Sequence, residues 1–146
     1  MNADLQFRVL GHGDERVLET IDPDVFDHPI DKPAAREFLN DRRHRLAVAI
    51  DGDLVVGFVS AVIYVHPDRP APELWINEVG VASSRQRQGI ARRLLACALD
   101  EGRAAGCREA WVLTDRSNLA AMRLYEDGGG QASMDHVMFT FHLDRQ

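Results

Sequence analysis

Two runs of strand-forming residues, Leu46–Ile50 and Leu54–Val65, are separated only by Asp51-Gly52-Asp53. An Asp-Gly pair between apolar runs is a strong hairpin signal, so this part of the chain must enter a sheet as antiparallel neighbours. The order of elements around the hairpin narrows the class. Phe7–Leu10 reads as a first strand, with helices expected over Asp14–Thr20 and Pro33–Arg43, the second opened by a proline in its first turn. His66–Pro72 holds three prolines and is expected to be a loop, and Glu73–Val81 is expected to be a strand. From Gly89 to Ala105 the residues Ile90, Ala91, Leu94, Leu95, Ala98 and Leu99 recur at helical spacing, and Gly106 is a natural stop. Ala110–Thr114 reads as a strand, Asn118 caps a short helix reaching Tyr125, Gly128-Gly129-Gly130 breaks it, and His136–Leu143 closes as a strand. Antiparallel hairpins followed by β-α-β-α-β predict an α/β (α+β) fold, with a mixed sheet of six to seven strands and helices on both faces.

A chain of 146 residues suffices for one domain, expected over residues 1–146, burying about two thirds of its unfolded surface around a single core. With 45% hydrophobic and 27% charged residues the composition is that of an ordinary globular protein. No run of about 18 apolar residues is present to cross a membrane. The opening residues Met1–Gln6 lack the basic-then-apolar pattern of a secretory signal. Cys97 and Cys107, both in helix-like context, fit reduced thiols better than a disulfide frame, so the expected compartment is the cytoplasm. A net charge of −6 argues against nucleic acid as a partner and favours approach of a cationic small molecule.

Against that acidic background, the turn between Val81 and Leu95 gathers Arg85, Arg87, Arg92 and Arg93 around Gly89. Free amides at the start of the following helix make an anion site, which the helix dipole strengthens. Gly89 lets the backbone approach a phosphate without a Cβ in the way, Ala91 avoids crowding it, and the arginines offer forked donors for phosphate oxygens. A solvated basic turn is the bland alternative. The pattern is neither a Walker loop nor a dinucleotide fingerprint, because the required lysine and further glycines are missing.

Gln86-Arg87-Gln88-Gly89-Ile90-Ala91 resembles the Gln/Arg-x-x-Gly-x-Gly/Ala motif of the GCN5-related N-acetyltransferase superfamily. Asn77–Val81 resembles that family's central strand, and Asn118–Tyr125 its second signature, Asn-x-x-Ala-x-x-Leu-Tyr. The resemblance covers roughly residues 46 to 143. Asp24–Asp27, Leu54–Gly57 and Met138–Asp144 are similar to stretches of the type I aminoglycoside 3-N-acetyltransferases. The resemblance implies acetyl transfer from acetyl-coenzyme A to a primary amine, in a slot where Glu73–Val81 and Ala110–Thr114 splay apart. It implies that the backbone from Val79 through Gly80 to Val81 pairs with the pantetheine arm, the Val79 amide polarising the thioester carbonyl. Amides from Arg87 to Ala91 would hold the pyrophosphate, with Gln86 and Asn118 as further cofactor contacts. One departure stands out: the family usually carries apolar residues where this chain has Asp127-Gly-Gly-Gly-Gln131, so the end of the second helix is expected to be loosely held.

Amine chemistry needs a base, because an amine is cationic at neutral pH and must lose a proton before attack. Glu78 is the leading candidate: strict alternation sets it on the face of Leu74 and Ile76, whose apolar surroundings would raise its pKa. Its alternative role is to hold a backbone group or an arginine. Tyr125 matches the family's general acid for the departing thiolate, a packed aromatic being its alternative. Glu73 and Asp115 are secondary acids, expected at the mouth ends of the two splayed strands. Cys97 falls mid-helix with no histidine close in sequence, and His28 and His136 have no metal-ligand spacing, so no metal is expected. On the acceptor side, Asp22–Asp31 puts four aspartates into ten residues, with Asp24, Asp27 and Asp31 the candidate contacts for a polycation such as an aminoglycoside or polyamine. Asp and Pro are also ordinary turn formers, which would explain that loop equally. Two other functions stay open: acetylation of a peptide or protein amine, and a non-catalytic acyl-coenzyme A-binding module that would not need Glu78 or Tyr125. Phe139 and Phe141 on the last strand could serve a homodimer interface or the core.

Overall fold

The computed structural model describes residues 5–144; residues 1–4 and 145–146, the two ends of the expected domain, lie outside the described residues. Five strands form one sheet in chain order: β1 (Leu5–Leu10), β2 (His44–Asp51), β3 (Leu54–His66), β4 (Arg69–Val81) and β5 (Glu109–Val112). The first four are antiparallel neighbours, and Asp51 pairs with Leu54 across the expected tight turn. β5 returns parallel to β4 after the crossover helix α2 (Ile90–Ala104). α1 (Lys32–Asn40) precedes the hairpin, and α3 (Leu119–Asp127) follows β5. The mixed α/β architecture is as expected, with five strands among the described residues rather than six to seven.

β2 and β3 hold the core. Leu46–Ile50 and Val55–Val59, apart from Gly57, are buried apolar residues of both strand faces, so the sheet is covered on both sides. On one side α2 packs closely: a Cβ on Gly57 would lie 3.1 Å from both Ile90 and Leu94, and one on Gly102 would lie 3.0 Å from Leu74. Leu74, Ile90 and Leu94 are fully buried there, each worth about 1.5–3 kcal/mol of transfer free energy. On the other side Phe26 stacks on Phe58 with ring centroids 3.9 Å apart.

Four expectations need correction. Asp14–Thr20 makes only a 3₁₀ turn at Glu15–Glu19, because the chain must extend at once to bridge Ile21 to Val55. The proline stretch is no loop: β3 and β4 run on to His66 and from Arg69, joined through Pro67 and Asp68. Pro70 and Pro72 sit where the register breaks between Tyr64↔Glu73 and His66↔Arg69, a bulge in which a missing amide costs no ladder bond. The end of α3 is firmly closed rather than loose. Gly129 adopts φ 94°, its amide donates to Glu126 O at 3.0 Å, and the Gly130 amide donates to Tyr125 O at 2.8 Å. That is a Schellman cap, which needs a residue at positive φ. Finally, residues 136–143 form no strand. They lie exposed, with Phe139 77% and Phe141 80% accessible, and pair with no strand among the described residues.

Candidate active site

Pairing between β4 and β5 stops at Ile76↔Val112, although β4 runs on to Val81. The cause is visible on the other edge of β4. Ser60 pairs with Glu78 and Ala61 with Ile76, so Asn77 is an extra residue in β4 and bulges it. Beyond the bulge, the Ala82 amide donates to Val56 O at 2.8 Å. Antiparallel pairs alternate between bonded and non-bonded, so Gly80 and Glu78 continue the bonded set. The N–H and C=O groups of Val79 and Val81 therefore face away from β3, into the gap that β5 has left. An extended chain can add to that edge as a strand would.

The open edge runs into the start of α2. Ala82 is buried, and a 3₁₀ turn at Ser83–Arg85 leads through Gln86 to Arg87 and Gln88. Arg87 adopts φ 64° and Gly89, the N-cap, φ 77°. No side chain caps the helix, and a Cβ on Gly89 would meet nothing within 4 Å, so the first amides of α2 open onto free space. The Ile90 side chain is buried, so it offers the site only its backbone, while Ala91 is half-buried. The arginines do less here than expected. Arg85 pairs with Asp51, Arg92 with Asp127 at 3.0 Å, and Arg93 lies 3.9 Å over the Phe7 ring. With three of the four arginines so engaged, the anion-binding capacity of the turn rests on backbone amides and the helix dipole, with Arg87 beside them.

The bulge also moves Glu78. Leu74, Ile76, Val79 and Val81 pair with Ile63, Ala61, Val59 and Gly57, the alternate residues of β3 that face α2. Trp75, Glu78 and Gly80 pair with Val62, Ser60 and Phe58 on the opposite face. Glu78 is therefore exposed on the face away from α2, and the apolar setting expected from unbroken alternation is absent. That face carries groups the sequence reading missed. Trp75 stacks on Trp111 with centroids 4.9 Å apart, and the Trp111 Nε1–H donates to the Tyr64 hydroxyl at 2.7 Å. Tyr64 donates to Glu73 Oε2 at 2.5 Å, and Arg69 holds Oε1 at 2.8 Å. The Tyr64 hydroxyl is the largest influence holding the Glu73 carboxyl below its ordinary range, with His66 and Arg69 adding to it. Glu73 lies where β5 begins, opposite Glu109, and not at the mouth of the gap. Asp115 does lie beyond the end of β5, in the turn whose carbonyl accepts the Asn118 amide at 2.9 Å. A period-two set of aromatic and acidic residues on β3 and β4 was the signal available, but matching Trp75 to Trp111 needs the register of β5.

The acidic loop lies against this face. The Val25 carbonyl is so near Gly80 that a Cβ there would stand 2.4 Å from it. Asp24 accepts from both the Ser83 amide, at 3.0 Å, and the Ser83 hydroxyl, which lowers its pKa and fastens the loop to the turn after β4. Asp31 is the N-cap of α1, accepting from the Ala34 amide at 2.9 Å. Asp27 remains, lining a cavity of ≈ 920 Å³ between the 3₁₀ turn, the loop and α1, together with Glu15, Glu19 and Asp22. Lys32 and Arg36 also line it, and Glu78 does not; Phe26 joins it to the Glu78 face through its stack on Phe58.

α3 is tied to the first turns of α2 by the Arg92–Asp127 pair and by Gly128, whose Cβ would lie 2.9 Å from Leu95. This brings Tyr125 to the end of α2 that carries Gly89. Tyr125 is half-buried against the core, and burial pushes its phenol pKa up, so it stays a proton donor well above neutrality. Asn118 accepts from the Ala121 amide at 3.1 Å, so its oxygen is engaged in capping α3. Burial is also the leading cause raising the thiol pKa of Cys97 and of Cys107, which disfavours the nucleophilic thiolate. His28 lines the acidic cavity, and His136 Nδ1 lies 2.7 Å from Ser133 Oγ. Among the described residues no three His, Cys, Asp or Glu side chains gather as a metal site, and no helix is long and apolar enough to cross a membrane.

The sequence profile of the acetyltransferase (GNAT) family matches residues 15–129, and the chain belongs to that family. It is 32% identical to N-acetyltransferase 8 of Homo sapiens over 121 residues, covering 74% of this chain and 53% of that protein. It is 30% identical to N-acetyltransferase 8B of Rattus norvegicus over 96 residues, covering 66% of this chain and 43% of that protein. The chain thus spans about half the length of these relatives. In three dimensions it superposes on an aminoglycoside acetyltransferase from an uncultured soil metagenomic sample, crystallised with trehalose, with a TM-score of 0.83, 20% identity and 97% of each chain covered. That likeness establishes the fold. Acetyl-coenzyme A is the donor that family membership implies, and the residues present fit it: an uncapped helix start for its phosphates and a bare strand edge for its arm.

Proposed function

We propose that this chain transfers the acetyl group of acetyl-coenzyme A to a primary amine of a small polycationic acceptor, an aminoglycoside at its 3-amino group, by direct attack in a ternary complex. Acetyl-coenzyme A supplies the activated acyl group. The backbone of Val79, Gly80 and Val81 would align its arm, and the amides from Arg87 to Ala91 would bind the pyrophosphate, with Gln86 and Asn118 beside them. The Val79 N–H would polarise the carbonyl under attack. Glu78 takes the proton that the ammonium must shed, and Tyr125 returns one to the departing thiolate. The observation that carries the reading is the bare edge at Val79 and Val81, which leads directly into the start of α2 at Gly89, with Glu78 immediately before that edge on the far face of the same strand.

The acceptor is argued from the face that Glu78 occupies. Trp75 and Trp111, stacked on each other and each residue 37% exposed, leave outer ring surface against which a cation or an aminosugar can lie. Glu73, Glu78 and Asp115 supply negative charge around it, and Asp27 adds to it from the acidic loop; Asp24 and Asp31 act through loop position rather than contact. The net charge of −6 draws a polycation inward. Free thiols at Cys97 and Cys107 suit a cytoplasmic protein, and we take the working unit to be a homodimer. A second reading, acetylation of a peptide or protein amine, draws on the openness of this same face. A free-thiol assay with acetyl-coenzyme A against aminoglycosides, polyamines and peptides decides between them. Aminoglycosides are expected to give the highest kcat/KM, a peptide preference would replace the acceptor assignment, and no turnover with any amine would leave an acyl-coenzyme A-binding module.

A further inference from the structure

One side-chain network on the Glu78 face reaches across three strands. Tyr64 of β3 stands opposite Glu73 of β4, yet its hydroxyl also accepts the Nε1–H of Trp111 from β5, at 2.7 Å. The same hydroxyl donates to Glu73 Oε2 at 2.5 Å, and Arg69 holds Oε1 at 2.8 Å. His66 meets the Tyr64 ring edge-on, with centroids 5.1 Å apart, and its Nε2 lies 3.4 Å from Glu73 Oε2. Burial first, and the bond to Glu73 second, raise the Tyr64 phenol pKa, so the hydroxyl stays protonated and fills both roles at once. Trp111 does not need this partner for solvation: at 37% exposure its N–H can bond to water instead, at little net cost. What the bond adds is orientation, because an exposed indole on an edge strand otherwise samples several rotamers. Held by Tyr64, Trp111 stacks on Trp75 with the ring planes 9° apart. Trp75 in turn stands on β4 between Glu73 and Glu78, on the face that all three share.

We propose, resting on the amine acceptor already assigned to this face, that Tyr64 is a positioning residue for that acceptor: through Trp111 it holds the Trp75 ring beside Glu78, so that a cationic amine lying against the ring presents its nitrogen to the base. Tyr64 itself touches no reacting atom. Its hydroxyl acts through two rings, and Glu73 and Arg69 act through the hydroxyl. An indole face set beside a carboxylate attracts a cation by ring and by charge together, and it rewards amines that carry apolar surface next to the nitrogen. Loss of the hydroxyl frees the indole of Trp111, and the acceptor then meets a ring pair of uncertain orientation. The donor side is untouched, because the start of α2 and the bare edge at Val79 and Val81 share none of these bonds.

The chain has two tryptophans and both are in this stack, so its indole fluorescence reports this place alone. Emission and steady-state kinetics with kanamycin, spermidine and a lysine-containing peptide, recorded for Tyr64→Phe, Trp111→Phe and the double variant, test the proposal. Saturating amine should change the wild-type emission. Tyr64→Phe keeps the ring and loses the hydroxyl, so KM for the preferred amine should rise at least about 5-fold, the loss of one hydrogen bond. Its kcat and its coenzyme A affinity should stay within about 2-fold. Trp111→Phe keeps a ring in the stack but lacks the N–H, and adding Tyr64→Phe to it should raise KM no further. Effects that multiply in the double variant overturn the proposal, because the hydroxyl then acts without the indole. An unmoved amine KM in either single variant overturns it too; if Trp75→Leu raises that KM, the acceptor still lies on this face and only the role of Tyr64 is lost. Weakened coenzyme A binding with the amine KM unmoved assigns the network to the gap between β4 and β5, and overturns the proposal likewise. Emission unmoved by an amine that is turned over removes the acceptor from the stack, and the acceptor reading falls together with the positioning role.

Discussion

Replacing Gly89 by Ala and, separately, by Glu distinguishes the backbone's conformational need from the charge of the group it receives. Gly89 sits at φ 77°, ψ 9°, and a Cβ there meets no atom within 4 Å. Gly89→Ala therefore introduces no clash but forces an L residue into the left-handed region, at a cost of about 1–2 kcal/mol. For a chain of this length each kcal/mol lowers Tm by roughly 2–4 °C. Gly89→Glu carries the same backbone cost and adds a carboxylate over the amides. At about 4 Å from a phosphate charge, repulsion is about 1 kcal/mol in water and about 4 kcal/mol at an effective dielectric of 20. With tenfold per 1.4 kcal/mol, that is about 5-fold to nearly 1,000-fold in affinity. Both variants should melt within a few degrees of each other. Titration calorimetry should then find coenzyme A bound at least about 5-fold more weakly by Gly89→Glu than by Gly89→Ala, with the gap narrowing in high salt. Equal affinities in two folded variants would refute the placement of an anion at the start of α2.

Three further outcomes follow from the geometry. Tyr125→Phe should lower kcat while leaving acetyl-coenzyme A affinity within about 3-fold, since only the leaving-group proton is removed; full turnover would make Tyr125 a packing residue. Glu73 has a depressed pKa in the folded chain, so its contribution is complete above the ordinary carboxylate range and is lost as pH falls through the depressed value. Glu73→Gln should accordingly flatten the acid limb of Tm against pH, and an unchanged limb would contradict the Tyr64–Glu73 bond as its source. Gly80→Ala places a Cβ 2.4 Å from the Val25 carbonyl and 2.7 Å from Phe58. The acidic loop must then shift, at a cost of about 1–3 kcal/mol in stability, and an unaltered melt would show that the loop is not seated on β4.

The parts of this molecule that rest on local chemistry were legible in its sequence. Gly89 before a helical apolar repeat, Asn118 as a cap and the Asp51–Asp53 hairpin each follow from one or two residues and their neighbours. The bulge was not legible, because nothing in Trp75–Val81 marks Asn77 as supernumerary. Strict alternation consequently put Glu78 on the wrong face, and only its pairing with Ser60 corrects this. Asp24 and Asp31 look like ligands in a charge count, but a short acidic side chain beside a free amide is equally a clamp or a cap, and both aspartates are so used. The Trp75–Trp111 stack depends on how a strand pairs across an intervening helix, which local pattern does not encode. Residues 136–143 announce a strand by alternation, but alternation does not supply the neighbouring strand that pairing needs, and they form none.

The rate of acetyl transfer against pH, measured for the wild type and for Glu78→Gln with the preferred amine, tests the central claim most directly. If Glu78 deprotonates the attacking amine, kcat/KM in the wild type rises through an ionisation. Glu78→Gln should then lose at least about 100-fold in turnover, with its rising limb moved toward the pKa of the free amine and coenzyme A binding unchanged. A variant that turns over at the wild-type rate across the whole pH range would contradict the account and move the base elsewhere, with Asp115 or an ordered water next in line.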